Sequence, residues 1–330
     1  MRYIRIQESH FWLHLSVNQV RTLVYIKYTK MKVFVTGATG FVGRAVVQEL
    51  LGAGHQVLGL ARSKESAKKL IDVGAEAHLG DLTDFESLKL GAEVSDAVIH
   101  LGFVHDFNHF EAMCALDKEV IGAIGEVLVG TKKPFLITSG TALFSREGLT
   151  TEQGHSINHP HPRIATEVAA DEQAAKGVNV AVIRLSPSVH GEGDVIGFVP
   201  LFIKIAKEKG VSAIINGGNN HWPAVHRLDA ARLYRLALEK PFEKGTRYHA
   251  VAEEGIQLKA VATEIAERLS IPLVSLNSAQ AAGHFAWFTH FAKLDNRTSS
   301  AQTRKALDWK PIHPTLLEDL KGSIYFSERR

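Results

Sequence analysis

The chain has 330 residues, 45% of them hydrophobic and 22% charged, with a single cysteine, Cys114. That composition excludes a disordered, fibrous or disulfide-stapled protein, and the lone thiol points to a reducing, cytoplasmic setting. The formal charge of +3 belongs to the first thirty residues, where five bases face only Glu8 and leave −1 for the rest, so neither nucleic acid nor a membrane is an expected partner.

Residues 1–30 mix aromatics and bases without a sustained period, and they lack the apolar run and cleavage site of a secretory signal. They are expected to be a non-essential or disordered extension, with targeting or oligomer contact as the alternative. From Met31 onward, strand-like and helix-like segments alternate. The strand candidates are KVFVTG, QVLGLA, AVIHLG, PFLITSG and VAVIRLS. Short apolar runs of this kind suit strands buried on both faces of a parallel sheet. Amphipathic helices such as 43–51 and 163–176 lie between them, and Gly52 with Gly54 supplies a stop for the first. The expected fold is α/β: a Rossmann-type doubly wound sheet over 31–188, then a smaller substrate-binding region over 189–330, partly woven back into the first.

Gly37, Gly40 and Gly43 form GxxGxxG between the first strand and its helix, which Phe41 and Val42 open. Glycine permits the tight turn and lets backbone approach a pyrophosphate, whose charge meets the positive end of the helix dipole. The second strand ends in LGLARSKES, where an acidic residue would bind the ribose of NAD. Arg62 and Ser63 stand there instead, followed by Lys64, so a 2′-phosphate is attracted and NADP is expected over NAD. In GDLTD, Asp81, next to Leu82, can hold an adenine amino group or cap the following helix.

Read in order, TGATGFVG, GDLTD, AVIHLG, ITSG, RLSPSVHGEGD, WPAVHRLDAARLYRLALEK and SSAQTRKALDWKP resemble the extended short-chain dehydrogenase/reductase superfamily. The resemblance covers nearly all of 31–330 and lies near the NAD-dependent epimerase/dehydratase and 3β-hydroxysteroid dehydrogenase-like branches. It implies that Leu101 and Gly102 line the riboses and that Pro187 and Ser188 approach the nicotinamide carboxamide. The superfamily's chemistry uses a Tyr, a Lys four residues on, and a Ser or Thr. Here the corresponding helix reads HPRIATEVAADE, which puts Arg163 and Glu167 in the Tyr and Lys positions. The chain in this respect is similar to atypical members that keep the cofactor site and change the machinery.

Candidates for the missing chemistry lie beyond the strand ends. His105, on the loop after the fourth strand, can transfer a proton, and Asp106 beside it can raise its pKa; packing is the alternative role. Ser139 and Thr141 can bind a substrate oxygen or stabilise a turn. Arg163 can bind a substrate anion or carbonyl, or pair with Glu167 along one helix face. The histidines of GHSINHPHPR and NNHWPAVH (His155, His159, His161, His221, His226) lack zinc-type spacing, so no metal is expected. HFAWFTHF reads as an apolar helix, either core or pocket floor. The expected function is NADP(H)-dependent oxidoreduction of a small carbonyl, hydroxyl or activated unsaturated compound by a monomer or homodimer. A non-catalytic NADP sensor and an NAD-dependent epimerase/dehydratase are the rivals.

Overall fold

The computed structural model describes residues 3–8, 11–16, 30–144, 148–153 and 160–326. It divides into two compact units, Met1–Lys30 and Met31–Arg330. In the first, β1 (Tyr3–Glu8) and β2 (Phe11–Ser16) form an antiparallel hairpin with Glu8 opposite Phe11. Regular structure here was not expected, although Ile4 and Ile6 alternate with Arg5 and Gln7 as in a short strand. A lone two-stranded hairpin contributes little stability. A chain starting at Met31 should therefore melt and bind cofactor nearly as the full chain does. A melting midpoint lower by more than about 3 °C, worth roughly 1 kcal/mol in a large domain, would overturn that expectation.

In the second unit the order is β3 (Lys32–Thr36), α1 (Phe41–Gly52), β4 (Gln56–Ala61), α2 (Lys64–Ile71), β5 (Glu76–Leu79), α3 (Phe85–Glu93), β6 (Ala97–His100), α4 (Phe110–Leu128), β7 (Phe135–Gly140), α5 (Ala165–Ala175) and β8 (Val180–Leu185). The five strands expected from the sequence are all present. Side chains alternate across β3, so Val33 and Val35 join one core cluster with Val46, Leu50 and Tyr234, while Phe34 joins another with Leu88, Val98 and Ile121. Both faces of the sheet are thereby buried.

The chain then makes β9 (Ser188–His190), α6 (Phe198–Lys209), β10 (Ser212–Ile215), β11 (His221–His226), α7 (Arg227–Glu239), β12 (Thr246–Ala250), β13 (Glu253–Gln257), α8 (Leu258–Leu269) and β14 (Leu273–Leu276). β12 pairs in parallel with β8, completing a seven-stranded parallel sheet of order β12-β8-β7-β6-β3-β4-β5. This is a Rossmann-like α/β fold. The strand order reverses between β3 and β6, the place where ligands of such sheets bind. β13-β11-β9 and β10-β14 form two small sheets beside a further core of Phe202, Trp222, Ile256, Ile265, Phe285 and Phe288. HFAWFTHF is not one helix. It breaks at Ala286, whose φ is 48°, and it buries Phe285 and Phe288 in that core while Trp287 faces outward.

Candidate active site

At the switch point, β3 runs into the glycine loop. Gly37 has φ 66°, and a Cβ on it would stand 2.7 Å from the Gly102 nitrogen, so the loop after β6 can press against it only if it is glycine. A Cβ on Gly43 would fall 2.0 Å from the Gly37 oxygen. Gly40 is the N-cap of α1, and its N–H donates to Gly37 O at 2.9 Å. The first N–H groups of α1, beginning at Phe41 and Val42, therefore open onto bare backbone. Leu82 packs over Gly102, within 3.0 Å of where a Cβ would be.

Arg62 is exposed at the end of β4. Ser63 caps α2, accepting from Ser66 N at 3.2 Å. The Asp81 carboxylate accepts from the Thr83 hydroxyl and N–H at 2.6 and 2.7 Å, and those bonds, with a small contribution from the Arg62 charge, hold its pKa low. Asp81 is not the helix cap. Asp84 caps α3 by accepting from Ser87 N at 3.0 Å, because Asp81 is spent on its own turn. Beyond β8, Ser188 is buried in β9 with no hydrogen-bond partner for its hydroxyl among the described residues, and Pro187 precedes it half-buried.

From the loop a buried polar chain runs inward. Gly102 N donates to Thr36 Oγ1 at 3.1 Å, Thr36 Oγ1 lies 2.7 Å from His100 Nδ1, and His100 Nε2 lies 3.1 Å from Asp117 Oδ1. An ionised carboxylate only accepts, so His100 Nε2 carries a proton and donates to Asp117. The other Asp117 oxygen accepts from Arg163 Nη1 and the Thr166 hydroxyl, both at 2.6 Å. Burial alone would raise the Asp117 pKa. The Arg163 charge and the His100 and Thr166 bonds outweigh it and hold the value at about 2. Arg163 also donates to Thr138 O at 3.4 Å, and its guanidinium carbon lies over the Phe103 ring, 3.9 Å from the ring centre.

This arrangement corrects the expected pairing of Arg163 with Glu167. Glu167 is fully buried and bidentate to Arg184, at 2.8 and 3.0 Å, with Arg247 at 3.2 Å. Burial raises its pKa, but the two arginines and the Ser139 hydroxyl beside it bring it below the usual carboxylate range. Thr141 is also buried completely. Its hydroxyl donates to Asn296 Oδ1 at 2.9 Å, a bond that ties the two halves of the fold together and leaves the side chain no open face for substrate. Ser139, one residue before the end of β7, is buried as well, with its hydroxyl beside Glu167.

His105 is exposed on the loop after β6, with its ring against Phe103. Asp106 does not raise its pKa as expected. The Asp106 carboxylate turns to Asn108 N and to His109 at 2.8 Å, while partial burial and the Arg163 charge lower the His105 pKa. His155 and His159 lie outside the described residues. Elsewhere His161 accepts from Arg163 N, His221 pairs with Asp295 and His226 caps α7, and no metal-ligating cluster exists among the described residues.

The family model of the NAD dependent epimerase/dehydratase family matches residues 33–251. The chain belongs to this family. An uncharacterised protein of Schizosaccharomyces pombe is 50% identical over 90% of this chain and all of its own length. The sterol-4-alpha-carboxylate 3-dehydrogenase of Dictyostelium discoideum is 28% identical over 70% of this chain and 74% of its own. Among solved structures, the dTDP-glucose 4,6-dehydratase DesIV of Streptomyces venezuelae, with NAD bound, superposes with a TM-score of 0.71 at 16% identity. It covers 89% of this chain and 96% of its own, a likeness of fold. The epimerase/dehydratase sheet is thus kept.

Sequence reasoning missed His100, Asp117 and Thr166. A signal for one was present: the apolar stripe of α4 runs Cys114, Val120, Ile121, Ile124 and Leu128, and Asp117 falls inside it at helical spacing. A carboxylate on a buried stripe requires a buried partner.

Proposed function

We propose that this epimerase/dehydratase-family protein is an NADP(H)-dependent oxidoreductase acting on a small carbonyl, hydroxyl or activated unsaturated compound. The observation that carries the reading is the bare glycine cradle facing α1, with Arg62 and Ser63 at the end of β4 where a 2′-phosphate would lie. The residues fit a dinucleotide. Gly37, Gly40, Phe41, Val42 and Gly43 would hold the pyrophosphate, Asp81 and Leu82 the adenine side, and Leu101 and Gly102 the riboses. The unpartnered Ser188 hydroxyl and Pro187 would meet the carboxamide. Relatives named as reductases, such as the 2-alkyl-3-oxoalkanoate reductase of Stenotrophomonas maltophilia at 29% identity, support the reaction class.

When bound, the nicotinamide supplies or accepts a hydride. The chain's own part centres on Arg163, which Asp117 and Phe103 hold in one orientation. A fixed guanidinium near a substrate oxygen stabilises the negative charge that develops there. It does not release a proton at neutral pH. His105 or water supplies that proton, and because the His105 pKa is lowered, an imidazole donor predicts a rate that climbs as pH falls toward it. Of the two hydroxyl candidates, Ser139 lies beside Glu167 and Thr141 is bonded to Asn296.

NADPH should bind at least tenfold tighter than NADH, about 1.4 kcal/mol, which one charge-assisted phosphate contact supplies. Arg62→Asp should invert the ranking. Titration of both cofactors against wild type and variant checks this, and equal affinities in wild type would remove the NADP assignment. Tight NADPH binding with no oxidation by a broad panel of aldehydes, ketones, quinones and enones would instead identify a sensor.

A further inference from the structure

α1 and α7 lie side by side and run in the same direction. Arg235 pairs with Glu49 at 2.7 Å towards their far ends, and the Arg227 guanidinium lies 5.6 Å from the Phe41 ring where both begin. The first turns of the two helices therefore lie at the same end, each with positive partial charge, and on α7 the His226 side chain takes the Leu228 N–H.

To this positive corner the chain adds two arginines. Arg44 is the fourth residue of α1 and Arg227 the first of α7, and their terminal nitrogens stand 3.4 and 3.9 Å from the point where a Cβ on Gly193 would be. Gly193 has φ 85°, so the loop between them stays without a side chain. Burial and the Arg44 charge lower the Arg227 pKa, and Glu192 is the acid that offsets them. Neither arginine forms an ion pair with a described residue, and Arg227 Nε is buried without a hydrogen-bond partner. Like charges held this near, with a buried donor unused, are unfavourable until an anion fills the gap between them.

We propose that Arg44 and Arg227 form a seat for a phosphate group, with Gly193 kept bare to admit it. The geometry suits a phosphate ester or anhydride, because a tetrahedral anion offers separate oxygens to two guanidinium groups. The phosphate is either the dinucleotide's own pyrophosphate, in which case the seat rests on the cofactor reading above, or one carried by the substrate.

Calorimetric titration of the full chain with NADPH and with inorganic pyrophosphate, at low and high salt, tests this for wild type, Arg44→Gln and Arg227→Gln. Each variant is expected to bind NADPH at least tenfold more weakly and with a shallower salt dependence. The melting temperature without ligand should not fall, since each change removes a repulsion. Arg44 is exposed, so its variant keeps the test alive if Arg227→Gln does not fold. Unchanged NADPH affinity with loss of pyrophosphate binding assigns the seat to a substrate phosphate. Arginine-dependent pyrophosphate binding in a wild type that ignores NADPH keeps the seat and overturns the cofactor reading. Affinities for both probes that are the same in all three proteins, or a wild type that binds neither, overturn the seat.

Discussion

Arg163→Met is expected to lower turnover by about 10²- to 10³-fold, the usual loss when one fixed donor to a developing oxyanion is removed. NADPH affinity should stay within a few-fold, because the glycine cradle and Arg62 lie on other elements. The reason for so large an effect is the rigidity of the donor. Asp117 accepts from it at 2.6 Å, Thr138 O takes a second nitrogen, and its guanidinium carbon sits over the Phe103 ring. Arg163→Lys keeps the charge opposite Asp117 but loses the planar fork and its stacking, so it should recover stability without recovering turnover. Steady-state rates and cofactor titrations on the three proteins check the argument. An Arg163→Met enzyme retaining more than a third of wild-type turnover would remove Arg163 from the reaction. His105→Ala separates the donors of the proton: a loss of about 10²-fold or more assigns it to the imidazole, and a loss below about tenfold assigns it to water.

Glu167→Gln should cost about 3–5 kcal/mol of stability, the usual penalty for removing one partner of a buried ion pair. Arg184 is fully buried, lies 3.8 Å from the Phe144 ring centre, and depends on both Glu167 oxygens. Arg247 retains Asp171 at 2.6 Å, so the loss falls chiefly on Arg184. Denaturant unfolding at neutral pH measures it. Acid titration gives a second check. Glu167 and Asp117 are both depressed in the folded protein, so what they add to stability is complete above the unfolded carboxylate pKa of roughly 4. It is lost as pH falls through the folded values, which for Asp117 means down to about 2. Wild type should therefore lose stability steeply below roughly pH 4, and Glu167→Gln should do so less steeply. Equal stabilities at neutral pH would show that Arg184 is satisfied without Glu167.

The sheet and its cradle were legible in the sequence because both depend on short-range chemistry. A run such as KVFVT is a buried strand wherever it pairs, and Gly37, Gly40 and Gly43 declare a tight turn into a helix at their own spacing. What the polar residues do was decided by tertiary structure. Arg163 and Glu167 are four apart, the spacing of a helical ion pair, but α5 begins only at Ala165 and Arg163 sits on the 3-10 turn before it, so the two do not share a helix face. Each instead meets a charge far along the chain: Asp117 for Arg163, Arg184 and Arg247 for Glu167. Thr141 likewise finds Asn296, and Arg44 meets Arg227 only because α7 returns beside α1. A buried polar group must find its partner wherever the fold brings one, and local spacing carries no record of that distance.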